Sequence, residues 1–70
     1  MAKEFPYEVI VTGKKDSESG NEILYGPVTF MAKDETNARY IGLLNMAKEM
    51  GVGKVLKLDI SALSIKARQF

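Results

Sequence analysis

The chain has 70 residues, with ten Lys and Arg against nine Asp and Glu for a net charge of +1, 46% hydrophobic and 27% charged side chains, and neither Cys nor His. This composition describes one folding domain over residues 1–70 rather than a disordered chain. It excludes disulfides, thiolate or imidazole metal sites, and a global field drawing in nucleic acid or anionic membrane.

A chain this short buries only ~60% of the surface that its unfolded form exposes, so self-association or a partner is expected to supplement the core. The opening Met1-Ala2-Lys3-Glu4-Phe5-Pro6 lacks an apolar signal core, and no run approaches the ~20 apolar residues of a membrane span. A soluble, cytoplasmic protein is the expectation, with no membrane partner.

Phe5 to Thr12 reads as a first strand, because Phe5, Tyr7, Val9 and Val11 alternate with Pro6, Glu8, Ile10 and Thr12. Pro6 offers no donor and belongs at the strand's start or on an unpaired edge. Residues 13–22, Gly13-Lys14-Lys15-Asp16-Ser17-Glu18-Ser19-Gly20-Asn21-Glu22, are polar and carry glycine near both ends, the pattern of a flexible hairpin loop.

Ile23 to Ala32 resumes strand character, broken by Gly26-Pro27, which predicts an edge position or a bulge. Val28, Phe30 and Ala32 share the expected core face. The period then changes from two to 3.6.

Asp34 is the expected N-cap and Gly51 the residue just past the C-terminus of a helix over about Glu35 to Met50. At 100° per residue, Tyr40, Leu43, Leu44, Ala47 and Met50 fall on one stripe, with Glu35, Asn45 and Glu49 opposite. Ile41 and Met46 fall on its margins, and Gly42 on the outer face. Leu44→Asp and Val28→Asp are both expected to abolish folding.

Beyond Gly51-Val52-Gly53 the pattern again has period two. Leu56, Leu58, Ile60 and Ala62 alternate with polar residues, and then Leu63, Ile65 and Ala67 do so with opposite parity. The switch predicts a bulged long strand or two elements joined by a bend at Ser61-Ala62.

Motifs for chemistry are sparse. The serines at 17, 19, 61 and 64 have no His or Cys base and no nucleophile-elbow pattern, so they read as turn and surface residues. Gly51-Val52-Gly53-Lys54 lacks the spacing, the hydroxyl residue and the helix-opening position of a phosphate loop. Asp16-Ser17-Glu18-Ser19-Gly20 lacks the remaining ligands of a calcium loop. No cofactor, metal or catalytic residue is expected.

Lys66, Arg68 and Phe70 share one face of the last strand, where cations interleaved with an aromatic ring could follow a phosphate backbone. Charge protection of an exposed strand is the favoured reading, with Glu8, Glu22 and Asp59 as candidate counter-charges and no Trp in the chain. Tyr25 and Met31, assigned with Ile10 to the face opposite Phe30, leave the outer sheet face partly apolar.

The order of strand, polar loop, strand ending in Ala32, acidic helix start with Ala38 beyond the cap, and closing Ile65-Lys66-Ala67-Arg68-Gln69-Phe70 resembles small phage-encoded accessory and host-inhibitor proteins of β-β-α-β type. The resemblance implies compact proteins that bind a host or virion component, working in the host cytoplasm. The acidic surface of the phage inhibitor of bacterial RNA polymerase is absent here, so its target is not implied.

The expected fold is α+β, with one helix packed on a small sheet of three or four mainly antiparallel strands in the order β-β-α-β, the last strand bulged or split. Its predicted core is Val9, Val11, Val28, Phe30, Tyr40, Leu43, Leu44, Ala47, Leu58 or Ile60, and Ile65. The expected function is a non-enzymatic binding protein acting through protein–protein contact or self-assembly. The candidate interaction residues are Ile41, Met46, Tyr25, Met31, Lys66, Arg68 and Phe70. A nucleic-acid binder using Lys54, Lys57, Lys66, Arg68 and Phe70 is the alternative, and a metabolite-binding oligomer a third reading.

Overall fold

Strand β1, Phe5–Gly13, carries the run Val9-Ile10-Val11-Thr12, whose β-branched side chains suit a pleated surface. Tyr7, Val9, Val11 and Gly13 are buried on one side, and Glu8, Ile10 and Thr12 are half-buried on the other. In this computed structural model, which describes residues 3–15 and 20–70, β1 is the middle strand of a three-stranded antiparallel sheet. Its neighbours are β2, Glu22–Ala32, and β3, Ser64–Gln69. Pro6 therefore sits near the start of a central strand rather than on an edge.

Pairing of β1 with β2 runs from Phe5↔Ala32 through Tyr7↔Phe30 and Val9↔Val28, and shifts register between Val9 and Val11 and again between Val11 and Thr12. The shift falls at Gly26-Pro27, where the peptide bond is cis. Both alternatives read from the proline are realised, since β2 is an edge strand and is irregular there. One consequence corrects the face assigned to Tyr25. The extra residue in β2 brings Tyr25 opposite Val11, where it packs half-buried against the core rather than on the outer face.

Gly13 and Glu22 pair as the last rung of the hairpin. The tip expected to be flexible, residues 16–19, lies outside the described residues, as do the acids considered for calcium.

Helix α1 spans Glu35–Met50, as read from its caps. Asp34 Oδ1 accepts from the Asn37 amide at 2.7 Å, and Asn37 Oδ1 accepts from the Lys33 amide at 3.1 Å, so the two side chains satisfy donors on either side of the first turn. At the other end Gly51 takes φ 86° while its amide donates to the Ala47 carbonyl at 3.0 Å, a conformation that costs a residue with a Cβ more than it costs glycine.

The face of α1 that meets the sheet is not the predicted one. Ala38, Gly42 and Met46, spaced four residues apart, are buried, whereas Tyr40 is 60% and Leu44 44% exposed. Small side chains explain the rotation. Ala38 and Gly42 let the helix backbone approach β1 more closely than Tyr40 or Leu44 could, and a Cβ at Gly42 would stand 2.6 Å from Val9 Cγ1. Met46, placed on a margin from the sequence, is among the largest fully buried side chains.

The predicted strand from Leu56 to Ala62 is absent. Val52–Val55 form one helical turn, α2, just before that stretch, which itself turns at residues 56–58 and ends in a 3-10 turn, Ile60–Ala62. The helix-opening position judged missing after Gly51 is therefore present. The 3-10 turn follows from Asp59, whose Oδ1 accepts from the amide and the hydroxyl of Ser61. Leu58 is buried and Ile60 is 71% exposed, which resolves the choice between them in favour of Leu58. Only after Leu63 does a strand begin.

The core closes on Tyr7, Val9, Val11, Ala32, Ala38, Met46 and Leu58, with Val28, Phe30, Leu43 and Ile65 packed half-buried around it. No buried side-chain nitrogen or oxygen lacks a partner among the described residues. No helix there is long and apolar enough to cross a membrane.

Candidate interaction site on the free edge of the sheet

With β1 in the middle, both outer strands present an unpaired edge, and they differ. The amide of Phe70 donates to the Pro6 carbonyl at 3.1 Å, which fixes the alternation of the antiparallel ladder. Ser64, Lys66 and Arg68 therefore direct their backbone groups toward β1. Ile65, Ala67 and Gln69 direct their N–H and C=O groups to the open side. By the same alternation the open side of β2 includes Pro27, which has no N–H to offer, next to the bulge. The β3 edge is the more complete template.

A groove of about 430 Å³ wraps this edge. Glu8 and Ile10 of β1 and Lys66 and Arg68 of β3 line it on the outer face of the sheet. Ile65 and Ala67 face the helix side, where Glu35 and Arg39 from the first turns of α1 complete the wall. The β3 edge thus runs along the floor, reachable from both faces.

The charges are unevenly matched. Arg39 Nη1 lies 2.9 Å from Glu35 Oε1, and Arg68 Nη2 lies 3.4 Å from Glu8 Oε1. Lys66 has no carboxylate partner among the described residues. Of the other counter-charges read from the sequence, Glu22 pairs with Lys15 at 3.2 Å and Asp59 with Ser61. The three ion pairs, Lys15–Glu22, Arg39–Glu35 and Arg68–Glu8, each contribute about 0–1 kcal/mol at the surface, so their cations remain free to change partner.

The predicted interaction residues separate into distinct environments. Lys66 and Arg68 alternate along the outer face of β3 and do lie together, and the 63% exposed Phe70 follows just past the strand's end. Met31, 51% exposed, lies opposite Pro6 on that same sheet face but on β2. Met46 is fully buried and Ile41 half-buried against the core, because the helix is rotated from its predicted orientation. Lys54 and Lys57 lie apart from Lys66 and Arg68, around a second hollow of about 230 Å³ with Lys15, Met50 and Leu58. The basic residues thus form two separate groups.

Sequence reasoning missed the exposed apolar residues on the helical side. Tyr40 and Leu44 stand one turn apart on the outer side of α1, and Val52 and Leu56, 74% and 79% exposed, one turn apart at α2. The signal is a second apolar stripe on α1, which hydrophobicity alone does not distinguish from a core stripe.

Asp59 is the one described group with a clear shift in acidity. The Ser61 hydroxyl bond at 2.6 Å holds its carboxyl below the usual aspartate range, aided by the Ser61 amide and the charge of Lys14. Its role is to fix the 3-10 turn. Among the described residues no group of three or more acidic side chains is placed to hold a metal ion.

Comparison of the chain with protein-family models, with curated proteins and with solved structures returned no match.

Proposed function

We propose that this protein is a non-enzymatic binding subunit that works by protein–protein contact and associates with a second copy of itself. The observation that carries this reading is the outer side of the helices, where Tyr40, Leu44, Val52 and Leu56 are exposed while α1 meets the sheet through Ala38, Gly42 and Met46. Large apolar side chains on a helix lose their contact with water when a partner covers them, at about 25 cal/mol per Å² buried. The small core supports the same reading, since association would add buried apolar surface to a domain of this size. A self-complementary surface is satisfied by a two-fold dimer. The absence of His and Cys supports a role without nucleophilic or metal-dependent chemistry. The β-β-α-β order, which resembles that of small phage-encoded accessory proteins, supports an accessory function.

Sedimentation velocity across the micromolar range tests the proposal. A species heavier than the 7.8 kDa chain is expected. The Leu44→Lys, Leu56→Lys double variant is expected to return it to monomer with an unchanged circular dichroism spectrum. A monomer at every concentration overturns the self-association.

A further inference from the structure

We propose that the free edge of β3 takes up an extended acidic segment of a partner protein as a fourth, antiparallel strand. Three observations converge on this edge. The N–H and C=O groups of Ile65, Ala67 and Gln69 face the open side, a ladder ready to be continued. A groove of about 430 Å³ follows the edge and is bounded by α1 at Glu35 and Arg39, so a strand lying there has a wall as well as a ladder. Its charged lining consists of Arg39, Lys66 and Arg68 against Glu8 and Glu35, with Lys66 the cation left over.

The charge arrangement selects the occupant. Lys66 and Arg68 lie at the positions that do not exchange backbone hydrogen bonds with an added strand, where Cα atoms stand only about 4.5 Å apart and side chains come closest. In an antiparallel pairing of β3 with a second β3, the registers centred on this strand place Lys66 opposite Lys66, Lys66 opposite Arg68, or Arg68 opposite Arg68. Like charges directly opposite are destabilising. The same two positions favour a partner with Asp or Glu at alternate residues. Between the acids, small or β-branched apolar residues would lie on the helix side against Ile65 and Ala67, both half-buried. The recognised segment therefore alternates acidic and apolar residues, with the backbone ladder supplying affinity and the cations supplying choice. This surface is separate from Leu44 and Leu56, so it stands or falls independently of self-association.

The test uses the full chain and a capped peptide alternating glutamate and valine, with a lysine–valine peptide and a single-stranded oligonucleotide as competitors, all at physiological salt. The glutamate–valine peptide is expected to bind and to slow hydrogen exchange at the amides of Ile65, Ala67 and Gln69. Ala67→Pro, which removes an outward N–H and no bond to β1, is expected to weaken binding at least tenfold. Lys66→Glu with Arg68→Glu is expected to invert the preference toward the lysine–valine peptide, a result that loss of folding cannot produce. Protection confined to other amides, equal binding of both peptides, or an oligonucleotide that outcompetes the acidic peptide would each overturn the proposal.

Discussion

Gly42 lies directly over Val9, so close that a methyl group at residue 42 would stand 2.6 Å from Val9 Cγ1. Val9 is fully buried in the central strand and its β-branched side chain is stiff, so it has little freedom to yield. Alanine at position 42 gains about 1 kcal/mol of helix propensity over glycine, but the clash costs about 1–3 kcal/mol. Gly42→Ala is therefore expected to destabilise the protein. In a Val9→Ala background, where Cγ1 is gone, the same change is expected to be neutral or stabilising. Urea denaturation of the four proteins in this cycle measures the coupling.

Met46 and Leu44 lie close in sequence and differ fully in environment. Met46→Ala is expected to cost about 2–5 kcal/mol, since it empties a fully buried site in a small core. Leu44→Asp, read from the sequence as abolishing folding, is instead expected to leave a cooperatively folded protein at a cost of about 1 kcal/mol, because Leu44 is 44% exposed. Val28→Asp, opposite Val9 in the sheet, is expected to prevent folding. Thermal melts of the three variants check the ranking, and a molten Leu44→Asp would place the helix face wrongly.

The Asp34 cap gives a third expectation. Its carboxylate accepts from the Asn37 amide at 2.7 Å, and Asp34→Ala is expected to lose about 0.5–2 kcal/mol. Asp34→Ser retains an acceptor and is expected to recover most of that loss. Hydrogen exchange should accelerate first at the amides of the opening turn, those of Asn37 and Ala38 above all.

Acid sensitivity should be visible at Asp59. Its carboxyl is held below the usual aspartate range chiefly by the Ser61 hydroxyl, so the folded state binds its proton less readily than the unfolded state does. The resulting stabilisation is complete above the unfolded aspartate value and is lost as pH falls through the lowered folded value. Ser61→Ala is expected to raise the Asp59 titration midpoint toward the usual range. Carboxyl NMR titration of the two proteins reads the change directly, and an unmoved midpoint would remove the hydroxyl as its leading cause.

Local chemistry made the element boundaries of α1 legible, because Asp34 and Gly51 satisfy end groups by rules that act over a few residues. The order of elements followed from the change of period at Ala32 to Asp34. The buried helix face did not follow from hydrophobicity, since Ala38 and Gly42 mark a close approach by being small. Tyr40 and Leu44 are apolar enough to imitate a core stripe. Leu56, Leu58 and Ile60 misled in a similar way, for the alternation from Leu56 to Ala62 falls on the turn that follows α2 and on the 3-10 turn Ile60–Ala62. The turn-forming Asp59-Ile60-Ser61 was the local signal that outranked it. For the interaction site, the basic face of β3 was legible from Lys66 and Arg68. Its companions Glu35 and Arg39 were not, because only the tertiary fold brings them to that edge.

The hydrogen bond from Phe70 to Pro6 has a consequence for the timing of synthesis. The ribosome makes β1 first, yet one flank of that strand stays bare until residues 64–69 emerge, and Tyr7 waits for Gln69, 62 positions later. Closing a loop of that length costs roughly 3–4 kcal/mol in chain entropy, recovered only when the whole of β3 is available. A nascent chain can assemble the β1–β2 hairpin and lay α1 across it, but it cannot seal the sheet before residues 64–69 are free. Loss of β3 would return the protein to that unsealed state, with one flank of the middle strand bare.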